Sequence, residues 1–436
     1  MRTNYCAPHI AQHSVRNMPA FRALARNHDF TALWVGATVA ELGSRVTIFA
    51  APLVAYALTG SPLWAAAAEG VFLTGMVAAL LPAGVLADRW HRLRLMRISL
   101  GTGFALYASL AVAGAAGALT LPHLLVVLFV TGVVTGLFGP AEYAAIRTIV
   151  SDEQLPTALS QQQARQHVAA LLGGPLGGAL YGVARWAPFA ADAVTYALGW
   201  LLLGRVRADL SARPDPERAR PRPLRDVGDG IRFVWRRPFL RVLLFWSPTV
   251  NLTINALFFV ALLRLIEADF SAAQIGLTQA AIGGFGVLGA IVAPILVERF
   301  ATGTLTVLVA WSWVPLAIPL ALWNHPLSMA LAGALGMFLN PAGNAGVGAY
   351  RMATTPPELI GRVQSAMQFV SMVTMPLAPA LAGLLLAVLG GRDAILALAV
   401  LTGLAALAPT LSRSVRTVPR PADWPRHDAG LTLAGP

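Results

Sequence analysis

The sequence predicts an all-α integral membrane protein, with twelve transmembrane helices arranged as two six-helix halves around a central cavity. Three observations carry this expectation. Of the 436 residues, 56% are hydrophobic and 12% are charged, whereas a soluble domain carries about 25% charged residues. Apolar stretches long enough to cross a hydrocarbon core of about 30 Å recur along the chain. A polar, arginine-rich segment then divides those stretches into six and six.

The apolar stretches fall at about 30–58, 62–87, 95–119, 122–145, 158–182 and 186–204, and then at 240–264, 272–296, 304–323, 326–349, 360–389 and 393–412. Backbone at lipid depth must satisfy its own hydrogen bonds, so each reads as a helix. Residues 1–29 are polar and lack the apolar core of a cleavable signal, so they read as a tail. Residues 413–436 read as a second tail. The linker, 205–239, opens on the Pro- and Arg-rich run RADLSARPDPERARPRP. It closes on an amphipathic stretch in which Leu224, Val227, Ile231 and Val234 share a helical face, as suits a helix lying on the membrane surface.

Arginine placement gives the orientation. Every one of the 32 basic residues is arginine. With alternating spans, 28 of them fall on the side of the termini. Arg185, Arg264 and Arg392 fall on the other side, and Arg45 lies within a span. The positive-inside bias puts both termini in the cytoplasm and the chain in the cell membrane. The net charge of +12 thus reflects arginines facing an anionic leaflet, with no nucleic-acid partner expected. Trp34, Trp64, Trp186 and Trp323 fall near predicted helix ends, as interfacial anchors do.

An internal repeat supports the division. PLGGALYG at 175–182 matches PLAPALAG at 376–383 at an offset of 201, which also brings Pro156 onto Pro357 and Gln163 onto Gln364. This aligns the fifth span with the eleventh and makes the halves parallel repeats.

Several chemistries are excluded. The absence of lysine removes a Walker-type phosphate loop and any Schiff-base lysine. The single cysteine, Cys6, has no partner for an intramolecular disulfide. His9 and His13 lie in a polar tail, and no cluster reads as a metal site. No nucleophile–base set is present, so the chain does not read as an enzyme.

The strongest local motif is GVLADRWHRLRLM, between the second and third spans. Gly84 permits close helix packing. Asp88 and Arg89 end a helix, and Arg92, Arg94 and Arg97 follow. Opposed charges there can pair in one conformer and part in another, which makes a gate. Positive-inside topology accounts for the arginines but not for the order of the motif. The stretch resembles the cytoplasmic signature of the major facilitator superfamily, G-x-L-A-D-[RK]-x-G-[RK]-[RK]. Gly84, Leu86, Ala87, Asp88, Arg89 and Arg92 match; His91 and Leu93 depart from it. FGPAEYAAIRTIVSDEQL, WAPFAADAVTY, GIRFVWRRPFLRVL and ELIGRVQSAM are similar to patterns of the drug:proton antiporter branch, which includes macrolide and siderophore exporters. GGPLGG in the fifth span resembles the antiporter signature through Gly174, Pro175, Gly177 and Gly178. Physically, that run permits tight helix contact and a bend. The arginine of the branch's fourth span has no counterpart between Leu124 and Ala141.

Intramembrane polar residues are the site candidates. The pairs Glu41/Arg45, Thr131/Thr135, Asn251/Asn255 and Asn340/Asn344 are each spaced i,i+4 and form one polar stripe per helix. They fall in spans one, four, seven and ten, which the resemblance implies line the central cavity. Each alone reads equally as a packing or neutralised pair. Glu41, Glu69, Glu142 and Asp192 are candidates for proton exchange, with capping or hydrogen bonding the competing reading for Glu142 and Asp192. Gln279, Gln364 and Gln368 are weaker candidates, with packing the favoured reading. The resulting expectation is a secondary transporter working by alternating access. It exports a small apolar or amphipathic molecule, uses the proton gradient and no cofactor, and functions as a monomer, as the resemblance implies. Proton-coupled uptake and a non-transporting receptor or assembly partner stand as alternatives.

Overall fold

The computed structural model describes residues 24–151, 153–211, 223–315, 317–356 and 359–424. Cys6, His9, His13, most of the Pro- and Arg-rich linker and the end of the C-terminal tail lie outside them. Among the described residues all regular structure is helical. The helices are α1 (His28–Thr59), α2 (Pro62–Arg89), α3 (Arg92–Ala115), α4 (Leu121–Ile149), α5 (Leu155–Val183) and α6 (Ala187–Leu203). They continue as α7 (Pro223–Arg236), α8 (Pro238–Glu267), α9 (Ala272–Arg299), α10 (Thr302–Ser312), α11 (Ala317–Leu322) and α12 (Pro326–Ala353). The last are α13 (Ile360–Thr374), α14 (Leu377–Leu389), α15 (Gly391–Leu411) and the single turn α16 (Arg413–Arg416).

Nine helical segments among the described residues are long and apolar enough to cross a membrane, counting α10–α11 as one and α13–α14 as another. The remaining three differ for plain reasons. Helix α6 is apolar but has 17 residues. Helix α5 has 29 residues, but Gln161, Gln162, Gln163, Arg165, Gln166 and His167 make its first half polar. Helix α12, with 28 residues, carries Asn340, Asn344 and Arg351.

Local chemistry sets the ends. Asn27 caps α1, its side chain accepting from the Asp29 and Phe30 amides and donating to Ile149 O at 3.2 Å, which ties α1 to the end of α4. The Asp29 carboxylate accepts from the Arg207 and Ala208 amides at 2.9 and 3.0 Å, pinning the chain after α6. Gly60 ends α1 with φ of 65°, a conformation that costs glycine nothing. Ser271 and Gln274 form a capping box at the start of α9.

Two predicted spans are interrupted. The stretch 304–323 separates into α10 and α11 around Pro315, and 360–389 separates into α13 and α14 at Met375 and Pro376. Proline has no amide hydrogen to continue the ladder, and the Met375 and Ala378 amides turn to i→i+3 partners, Met372 O and Met375 O. The amphipathic stretch after the linker forms a helix, α7. Helix α7 packs on α13. Val234 is fully buried in a cluster with Phe239, Tyr350, Val363 and Val415. Trp34, expected as an interfacial anchor, packs instead against the first core cluster.

The helices pack in a repeated pattern. Helix α2 lies on α4, α1 on α6 and α5, and α3 on α6. Correspondingly, α9 lies on α12, α8 on α15 and α14, and α10–α11 on α15. The two groups meet through α5 against α9 and α14 against α2, pairs that exchange under the sequence repeat. Small residues allow both approaches, as expected where lipid removes the hydrophobic drive between helices. One core cluster joins α1–α6, and a second joins Phe49, Leu53, Ala65 and Ala66 to α8, α9, α14 and α15.

Candidate functional site

A cavity of about 1220 Å³ lies between the two groups of helices. Its wall takes Glu41, Arg45 and Ser44 from α1, Glu69 and Met76 from α2, and Thr135 and Glu142 from α4. Gln162 and Gln166 come from α5, Asn251 and Asn255 from α8, and Gln368, Met372 and Met375 from the α13–α14 span. The cavity runs to the arginine-bearing end of the bundle, where Arg92, Arg147 and Thr148 line it. Beyond Arg45, Phe49 and Leu53 of α1 belong to the second core cluster, together with Ala378 and Ala382 of α14.

The i,i+4 pairs do not share one fate. Glu41 and Arg45 form an ion pair on the cavity wall, with Arg45 Nη2 and Nε at 2.8 and 2.9 Å from Glu41 Oε1. Asn251 and Asn255 also face the cavity, and Asn255 Nδ2 donates to Asn251 O at 2.7 Å. Thr135 lines it too, whereas Thr131 is fully buried and bonds to Val127 O and Leu128 O of its own helix. Asn340 and Asn344 bond to one another at 2.6 Å and lie outside the cavity wall. A polar stripe thus reaches the cavity from α1, α4 and α8, while the α12 stripe satisfies itself.

The acids occupy four different settings. Glu69 lines the cavity and makes no ion pair among the described residues. Glu41 is paired as above. Glu142 is 3% exposed and accepts from Arg165 Nη1 and Nη2 at 2.7 and 3.0 Å and from Gln162 Nε2 at 3.0 Å. The hydrogen-bonding reading of Glu142 agrees with these contacts, although the sequence did not single out Arg165 as the partner. Asp192 is fully buried beside α1, where Thr195 donates to Oδ1 at 3.2 Å and Oδ2 has no hydrogen-bond partner among the described residues. One residue further along α6 from Thr195, the Tyr196 hydroxyl meets Ser44 Oγ at 2.9 Å, and Ser44 lines the cavity.

The GGPLGG run packs on two sides. A Cβ at Gly177 would stand 2.7 Å from Phe49 Cδ1 and 3.0 Å from Val46 O of α1. One at Gly174 would stand 3.0 Å from Gly276 O of α9, and Gly178 sits directly on Ala272 O. Pro175 lies inside the unbroken α5. The backbone of Gly84, Asp88 and Arg89 forms the end of α2, and their side chains lie outside the described set. Arg92 reaches back to α4, donating to Thr148 Oγ1 at 2.7 Å, and Arg94 is exposed.

Paired helical bundles enclosing a polar-lined cavity define a membrane transporter. The family model described as Major Facilitator Superfamily matches residues 33–341, and the chain belongs to that family. It is 26% identical over 407 residues to an uncharacterised MFS-type transporter of Sinorhizobium fredii, covering 90% of this chain and 96% of that protein. Among solved structures it resembles a bacterial homologue of the iron transporter ferroportin in an inward-facing state. That match has a TM-score of 0.67 and 15% identity, over 89% of this chain and 98% of that one. It also resembles a bacterial homologue of the lysosomal transporter Spinster, inward-facing and unoccupied. There the TM-score is 0.65 and identity 15%, over 89% and 96% of the two chains. The chain is a multi-pass membrane transporter of small molecules and not an enzyme.

Proposed function

We propose that this transporter exports small apolar or amphipathic molecules in exchange for protons. The cavity wall carries the reading. Phe72, Met76, Phe138, Phe259, Met372 and Met375 give it a broad apolar face, and methionine adapts to irregular shapes. Glu41–Arg45 and Glu69 add one charged patch. Such a wall suits a molecule that is apolar over most of its surface and bears one polar or cationic group.

Glu69 is the acid we assign to the exchanged proton, since it faces the cavity without a counter-ion among the described residues. Glu41 serves when its pair with Arg45 opens. Asp192, one turn of α6 from Tyr196, whose hydroxyl meets the cavity-lining Ser44, is a reserve site, and Glu142 is held by Arg165. The halves 30–204 and 240–412 rock about the cavity, linked by 205–239, as alternating access requires. Asp88 with Arg89, Arg92 and Arg94 closes the arginine-bearing end. That end and both termini face the cytoplasm of the cell membrane, and one chain suffices.

The test is accumulation of fluorescent and antibiotic compounds in an efflux-deficient bacterial host, with and without a protonophore. Export predicts lower accumulation that the protonophore abolishes. Higher, protonophore-sensitive accumulation would overturn the direction, and flux indifferent to the protonophore would overturn the coupling.

A further inference from the structure

A second concavity of about 610 Å³ lies on the outside of the bundle, between α3 and α6, and shares no lining residue with the central cavity. Arg94, Arg97, Ile98, Gly101 and Thr102 line it from one face of α3, at i, i+3, i+4, i+7 and i+8 spacing. Trp200 lines it from α6, and His91 closes its end at the N-cap of α3. The Arg97 guanidinium lies 4.1 Å over the Trp200 ring. No carboxylate pairs with Arg94 or Arg97 among the described residues. Arg97 Nε and His91 Nδ1 are buried without a hydrogen-bond partner among the described residues.

Two basic side chains, an indole and a hydroxyl here converge with no acid paired to them among the described residues. Guanidinium binds phosphate with two parallel hydrogen bonds. The groove sits at the arginine-bearing end of the bundle, at the depth of lipid headgroups. Deeper along the same two helices the surface is apolar and open, with Phe104 44% and Leu198 45% exposed. That combination accommodates a phosphate at one end and acyl chains at the other. We propose that this groove is a binding site for an anionic phospholipid, with Arg94 and Arg97 holding the phosphate and Trp200 fixing Arg97. Basic pockets between transmembrane helices take acidic lipid headgroups for the same physical reason.

Native mass spectrometry of the full-length protein, delipidated and then offered phosphatidylglycerol or phosphatidylcholine, tests this. The expected result is selective retention of phosphatidylglycerol. Arg94→Gln, which alters an exposed side chain, should lower that retention roughly tenfold, the loss expected from one charge-assisted hydrogen bond. Arg97→Gln should lower it further, while Arg299→Gln, which removes an arginine outside the groove, should leave it unchanged. Equal retention of the two lipids, or of phosphatidylglycerol by wild type and Arg94→Gln, would overturn the proposal. Displacement of the lipid by millimolar inorganic phosphate would overturn the assignment to a lipid in favour of a soluble phosphate.

Discussion

The Glu142 carboxylate and the Arg165 guanidinium face each other across α4 and α5 in a two-pronged ion pair, at 2.7 and 3.0 Å, with 3% and 4% of each residue exposed. Elsewhere these two helices scarcely touch. The pair therefore fastens α5, which otherwise packs mainly on α1 and α9, to the α2–α4 layer.

Removing one partner leaves the other charged and buried. Glu142→Gln is expected to destabilise the protein by about 3–5 kcal/mol. The double change Glu142→Gln with Arg165→Met should recover much of that loss. Thermal unfolding of the purified protein checks both, and equal melting of the single variant and wild type would remove the fastening role.

Gly178 lies on the Ala272 carbonyl where α5 crosses α9. Gly178→Val should separate the helices and reduce the yield of monodisperse protein severalfold. Gly182→Ala, one turn further along, meets nothing within 4 Å and should behave as wild type. Size-exclusion profiles of the two variants separate close approach from a general intolerance of side chains in this helix.

If Glu69 carries the exchanged proton, Glu69→Gln should abolish protonophore-sensitive flux at unchanged membrane abundance. Asp192→Asn should reduce flux less. Flux by Glu69→Gln equal to wild type would move the proton site elsewhere.

The gate assignment makes a separate prediction. Asp88→Asn should cut transport while membrane abundance stays intact. Normal transport by well-expressed Asp88→Asn protein would remove the assignment.

The docking of α7 on α13 rests on Gly230, where a side chain would collide with the Arg362 carbonyl and stand 2.9 Å from Ala366 Cβ. Gly230→Leu should undock α7 and speed tryptic cleavage after the linker arginines severalfold. Gly228→Leu has open space within 4 Å and should leave the digestion rate unchanged.

Helix positions were legible because lipid-crossing runs announce themselves by length and apolarity. Pairing was less so. Asn251/Asn255 and Asn340/Asn344 have the same spacing, yet the first pair faces the cavity and the second closes on itself. Helix rotation decides this, and spacing alone carries no rotation. The Glu142–Arg165 pair spans 23 positions and belongs to no periodic pattern. Its one available signal was an isolated acid and an isolated arginine in adjacent spans. Pro175 and Pro376 occupy the same repeat position, but only the second breaks its helix. The neighbours of a proline, and not the proline alone, decide whether the ladder survives.

That break has a mechanical consequence. Below it, α13 is held by α7; above it, α14 is held by α2. Only Met375 and Pro376 join the two, and Met375 also lines the cavity. The span is thus two levers on a common pivot, both lying on α8 but each with one anchor of its own. Torque applied by the linker helix along this span passes through a joint that borders the space where cargo would sit.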